Sequence, residues 1–94
     1  MNFVYILYSE SLKKYYIGEA LNIEERIEQH NSGFYDKAFT KIVTDWVLYY
    51  SIACKDRVQA RKIEAHIKKM KSKTYIQNLK KHPELSEKLK NKYN

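Results

Sequence analysis

Phe3-Val4-Tyr5-Ile6-Leu7-Tyr8 and Tyr15-Tyr16-Ile17-Gly18 are two short runs rich in strand-forming residues. The polar link Ser9-Glu10-Ser11-Leu12-Lys13-Lys14 separates them. Two such runs split by a short polar link read as an antiparallel hairpin. With the turn centred on Glu10-Ser11, Tyr5 is expected to face Tyr16, because facing positions keep a constant sum of residue numbers. Cross-strand partners on one face have Cβ atoms roughly 5 Å apart. The plain alternative is two strand tyrosines with wet hydroxyls.

The stretch after the hairpin predicts a short helix. Asn22 is a good N-cap, with Glu25 three residues later as in a capping box, and Gly33 is a natural stop. Ile23 and Ile27 form a narrow apolar stripe, and Arg26 and His30 continue that face at i+3 and i+7. An arginine and a histidine on a core-facing stripe are costly unless they meet a partner or an anion. The competing reading lays the Arg26 stem over the core and pairs its head with a glutamate.

Further along, Trp46-Val47-Leu48-Tyr49-Tyr50-Ser51-Ile52-Ala53 reads as a third strand, long enough to be central and apolar enough to be covered on both faces. Asp56 opens a helix, with Gln59 as a second capping-box partner. Ala60, Ile63, Ile67 and Met70 mark its buried face. Glu64 falls inside that arc, where a carboxylate needs a strong partner. That partner is either Lys68 or Lys71 in a salt bridge, or a hard cation. Mg²⁺ takes one or two protein carboxylates and keeps several waters, so one glutamate is enough. Zinc would want His and Cys ligands at spacings this chain lacks. His66 points off the apolar arc and reads as plain surface. Ser72 to Leu79 reads as a further short helix, and Pro83 suits the first turn of a last one, Glu84 to about Asn91.

The architecture predicted is α+β: a small three-stranded antiparallel sheet flanked by helices, in the order β-β-α-β-α-α. Ninety-four residues make one domain. Residues 1–80 form its body and 81–94 a basic helical extension. No apolar run is long enough to span a membrane. Met1-Asn2-Phe3 has no charged leader, so no signal peptide is expected. Cys54 is the only cysteine, which rules out an internal disulfide, fits the cytoplasm, and reads as a small core residue. The net charge is +7. Residues 1–67 balance at nine Lys/Arg against nine Asp/Glu, and residues 68–94 carry nine Lys against Glu84 and Glu87. A block of positive charge at one end suits a polyanion; the alternative is a solvated tail.

Taken together these residues resemble the GIY-YIG nuclease superfamily, in particular its small stand-alone bacterial members, and are similar to the nuclease domain of the excision-repair endonuclease. The first triad stands as Phe3-Val4-Tyr5 and keeps only its tyrosine, while the second, Tyr16-Ile17-Gly18, is intact. Asn22, Arg26 and His30 match the helix that follows, with His30-Asn31-Ser32-Gly33 as in the small members, and Glu64 matches the later helical glutamate. The resemblance covers Phe3 to about Leu79. It departs at Phe3, which concerns packing, and at Glu19 and Ala20. There a negative charge, and an alanine where many members carry Ser or Thr, both weaken phosphate binding.

The resemblance implies a divalent-metal-dependent endonuclease acting on nucleic acid, with DNA the expected substrate. Tyr5, Tyr16, Arg26, His30 and Glu64 would be the catalytic residues. Glu64 would hold one Mg²⁺ or Mn²⁺, Arg26 the phosphate, and Tyr5 would take the proton from water. Gly18, Thr40, Lys41, Lys68 and Asn78 would contact substrate, Asn78 by spacing after Glu64 only. Few groups are left to read bases, so shape or backbone preference is expected. Two rivals share the fold: a module that grips nucleic acid without cutting, and a nuclease part that needs a partner protein for targeting.

Overall fold

The computed structural model describes residues 1–32 and 43–94. The elements are β1 (Asn2–Ser9), β2 (Lys14–Ala20), α1 (Ile23–Asn31), β3 (Trp46–Cys54), α2 (Arg57–Met70), α3 (Lys73–Lys81) and α4 (Glu84–Lys92). The order is thus β-β-α-β-α-α-α, the last helix arising from the basic 81–94 segment. The three strands form one antiparallel sheet in the order β2-β1-β3. No helix among the described residues is long and apolar enough to cross a membrane.

The central strand is β1, not β3 as its apolar length suggested. Val4 to Leu7 are all buried, while Val47 and Leu48 on β3 are 57% and 45% exposed. A strand with a neighbour on each side and helices over each face must be apolar throughout. An outer strand need not be, and its apolarity here reflects β-propensity. β1 serves two cores. Val4 and Ile6 join Ile52, Cys54, Ala60, Ile63, Ile67, Ile76, Leu79 and Leu89 on the side of α2, α3 and α4. Tyr5 and Leu7 join Ala20, Val43 and Trp46, with Ile23 and Ile27 of α1, on the other. Cys54 is buried in the first core, and burial pushes its thiol up from the ordinary value.

The hairpin register differs from the expected one. Tyr5 faces Gly18 and Leu7 faces Tyr16, with Ser9 opposite Lys14. The turn therefore holds four residues, Glu10 to Lys13, with Lys13 left-handed at φ 54°. A contact distant in sequence holds it there: Asp45 accepts from the Ser9 hydroxyl at 2.7 Å and from the Ser11 N–H at 2.8 Å. A shift by two keeps every side chain on its face. Tyr5 and Tyr16 thus remain on one face but stand diagonally, ring centroids 6.3 Å apart.

The helices start where the capping residues put them. The side chains of Asn22, Asp56 and Ser72 accept from the N–H groups of Glu25, Gln59 and Tyr75. Gln59 reaches back one residue beyond its cap, accepting from the Lys55 N–H at 2.8 Å. Met70, expected on the buried face of α2, is 46% exposed. It is the last residue of the helix, where Lys71 at φ 47° turns the chain toward α3. Asn31 clamps the start of β3, accepting from the Trp46 N–H at 2.8 Å and donating to its carbonyl at 3.0 Å. Gly33, Thr40 and Lys41 lie outside the described residues.

Candidate active site

β2 is an outer strand, and the sequence places different chemistry on its two faces. Tyr16 and Gly18 look toward α1. Glu19 looks toward α2, where the Arg57 Nε meets it at 3.3 Å. A cavity of about 200 Å³ lies across this strand. Tyr5, Tyr16, Gly18, Arg26 and Glu64 all line it. A phenol from the central strand, a guanidinium from α1 and a carboxylate from α2 thus meet, although Tyr5 and Glu64 are far apart in sequence.

Tyr5 is 1% exposed and His30 2%. Their hydroxyl and Nε2 lie 3.2 Å apart. His30 stands in the last turn of α1, and its ring packs on Tyr16 with centroids 4.3 Å apart. The stripe that begins with Ile23 and Ile27 therefore delivers His30 to the Tyr5 hydroxyl, where it can donate or accept, although His30 is not itself among the residues lining the cavity. Gly18 has a reason of its own. A Cβ there would sit 2.6 Å from the Tyr5 hydroxyl oxygen and 2.7 Å from the ring carbon that bears it. The glycine makes room for the tyrosine.

Glu64 is 18% exposed at its side chain, and the Lys68 ammonium lies 2.6 Å from it, one turn on. The salt-bridge reading of this residue is therefore met by Lys68, and the same carboxylate also borders the cavity. Lys68 lines a neighbouring cavity of about 230 Å³ with Lys14, Tyr15 and Lys71. Asn78 is not among the residues lining the cavity that Tyr5 and Glu64 share.

Two lining residues were missed in the sequence, Arg57 and Arg61. The signal was present: Arg57, Arg61, Glu64 and Lys68 recur at i, i+4, i+7 and i+11, one stripe beside the apolar one. Glu19 also lines the cavity; it accepts from Asn2 at 3.4 Å as well as from Arg57. Its negative charge is thereby opposed by Arg57, while its second oxygen accepts from a neutral amide. A second hollow of about 380 Å³ shares Glu19, Arg26 and Arg57 and continues to Asn22 at the start of α1. His66, read as plain surface, is instead hydrogen-bonded through Nδ1 to the Tyr93 hydroxyl at 2.8 Å.

Among the described residues no group of three or more His, Cys, Asp or Glu gathers to form a multi-ligand metal site. The donor set does suit one hard divalent ion. Glu64 offers a half-buried carboxylate to the cavity, Glu19 borders the same space, and Mg²⁺ keeps several of its own waters.

Residues 1–81 match the family described as GIY-YIG catalytic domain. The chain is 37% identical over 83 residues to a UPF0213 protein of Syntrophus aciditrophicus (strain SB), a match covering 88% of this chain and 94% of that protein. No solved structure matches it.

Proposed function

The chain belongs to the GIY-YIG family, whose nucleases are endonucleases, and from that premise we propose that it is itself a divalent-metal-dependent endonuclease hydrolysing phosphodiester bonds, with DNA as its substrate. The observation that carries the proposal is the lining of one cavity by Tyr5, Tyr16, Arg26 and Glu64.

Hydrolysis needs an attacking oxygen relieved of its proton, relief of charge on the phosphate, and help for the leaving oxygen. Tyr5 takes the proton from water. A tyrosine ordinarily titrates near pH 10, so its anion must be stabilised to act near neutrality. His30, with the proton on Nε2, donates to the Tyr5 oxygen, and the Arg26 guanidinium adds positive charge to the same cavity. Arg26 also binds the phosphate, as a planar donor that is always charged, and it acts most where charge develops. Tyr16, 37% exposed, orients the water or a phosphate oxygen from the rim. Glu64 holds one Mg²⁺ or Mn²⁺. When bound, such an ion supplies Lewis acidity toward the phosphate and the leaving oxygen. Lys68, Thr40 and Lys41 meet the substrate backbone, and the basic C-terminal segment adds attraction for it.

Supercoiled plasmid incubated with Mg²⁺ or Mn²⁺ tests this. The wild-type chain nicks it, and Tyr5→Phe and Glu64→Gln do not; nicking that both substitutions leave intact overturns the assigned roles. One observation favours a second reading. Lys68 already engages Glu64, as a module that binds nucleic acid without cutting would allow. Binding that falls steeply with salt, with no nicking under either metal, selects that reading. Nicking that emerges only with an added partner protein selects a part dependent on another chain for targeting.

A further inference from the structure

A second cleft lies on the far side of α2, between that helix and the C-terminal end of α4. Its volume is about 650 Å³, within the range of small-molecule sites, roughly 300–1,000 Å³. Lys62, His66, Lys69, Met70, Lys92 and Tyr93 line it. At about 100° per residue, Lys62, His66 and Lys69 form a stripe on α2 roughly 130° from the one that carries Arg61 and Glu64. The cleft is therefore a different surface from the catalytic cavity.

Its walls combine two chemistries. Three ammonium groups face it, with no carboxylate among the lining residues. Its floor is aromatic. His66 and Tyr93 are locked edge to face, centroids 5.7 Å apart, and the 2.8 Å hydrogen bond between Nδ1 and the hydroxyl fixes their angle. Tyr75 backs His66 with centroids 6.1 Å apart, and the Lys92 ammonium stands 5.5 Å over the Tyr93 ring. Burial, then Lys92 and Lys69, hold the imidazole below its ordinary pKa. A neutral, fixed ring is a stacking surface, and an anion would draw on the cations around it, Lys92 moving to it from its place over the Tyr93 ring. Aromatic faces beside lysines are what a single nucleotide asks for: a base to stack and a phosphate to neutralise.

We propose that this cleft binds one nucleotide of a nucleic-acid strand, base against His66 and Tyr93 and phosphate among Lys62, Lys69 and Lys92, as a second grip apart from the catalytic cavity. The choice of nucleotide rests on the nucleic-acid function proposed for the chain. The test therefore measures binding alone, in EDTA, so that loss of this site and absence of cleavage are told apart.

The His66 and Tyr93 ring signals of the full chain are followed by NMR during titration with deoxyadenosine monophosphate, and separately with inorganic phosphate. The nucleotide is expected to shift both residues saturably and to bind at least ten-fold more tightly than phosphate. Lys69→Ala with Lys92→Ala weakens it at least ten-fold, whereas Lys88→Ala with Lys81→Ala, an equal loss of charge elsewhere, leaves it within two-fold. Equal affinity for phosphate reduces the cleft to an anion site and overturns the proposal. So does an absence of saturable shifts, or equal weakening by both pairs of substitutions.

Discussion

The Tyr5 hydroxyl fills the space that a side chain at Gly18 would take: a β-carbon on residue 18 would stand 2.6 Å from that oxygen. The glycine of the second motif is therefore a packing partner of the tyrosine of the first. Gly18→Ala is expected to destabilise the chain by about 1–3 kcal/mol, the usual range for overpacking, and to displace the Tyr5 ring. Urea midpoints read the first effect. Plasmid nicking, expected to fall with the second, reads the other; an unchanged midpoint would show that the ring moves aside freely.

Tyr5 and His30 are expected to act as a unit. Tyr5→Phe lowers the nicking rate by about 10²–10⁴-fold, the range for a general base. Because the two groups lie 3.2 Å apart, the stability losses of Tyr5→Phe and His30→Gln should not add. A double-mutant cycle is expected to give a coupling of about 0.5–3 kcal/mol, and a value near zero would place the hydroxyl and the ring in separate roles.

Lys68 competes with a cation for Glu64. Lys68 is more than half exposed, so the pair contributes little, about 0.2–1 kcal/mol. Lys68→Ala should therefore lower the half-saturating Mg²⁺ concentration for nicking by a few-fold, up to about five-fold, while EDTA abolishes nicking in both proteins. A rise in that concentration would show that Lys68 serves the substrate more than it opposes the ion.

Asp45 makes the hairpin sensitive to acid. The Ser9 hydroxyl, then the Ser11 N–H, hold its carboxyl below the ordinary carboxylate value. A lowered folded-state pKa gives stability that is complete above the unfolded value, about 3.9, and lost as pH falls through the folded one. Asp45→Asn is expected to flatten the fall of the urea midpoint below about pH 4. In the wild type, the protection of the Ser11 amide against exchange, relative to its intrinsic rate at each pH, should fall over the same interval.

Much of the fold could be read from local signals. The side chains of Asn22, Asp56 and Ser72 cap the helices they precede, because a cap bonds only two or three residues ahead. The Ile23, Arg26, Ile27, His30 stripe could be found for the same reason: helical period is a property of one segment. The ordered set Tyr5, Tyr16, Arg26, His30 and Glu64 was also legible, and these residues do come to one region. What they do there rests on the nicking and binding experiments.

The sequence by itself determined which segments become strands and helices, and the inward stripe of α1, since those follow from φ/ψ preference and periodicity within a few residues. Tertiary structure alone decided the rest. Asp45 set the hairpin register from 34 residues beyond Ser11, pairing on both sides made β1 the central strand, and the packing of α2 along β2 brought Arg57 and Arg61 to the cavity. It also joined His66 to Tyr93. Each of these is a contact between distant segments, fixed only when burial of both faces of β1 selects one arrangement of the whole chain.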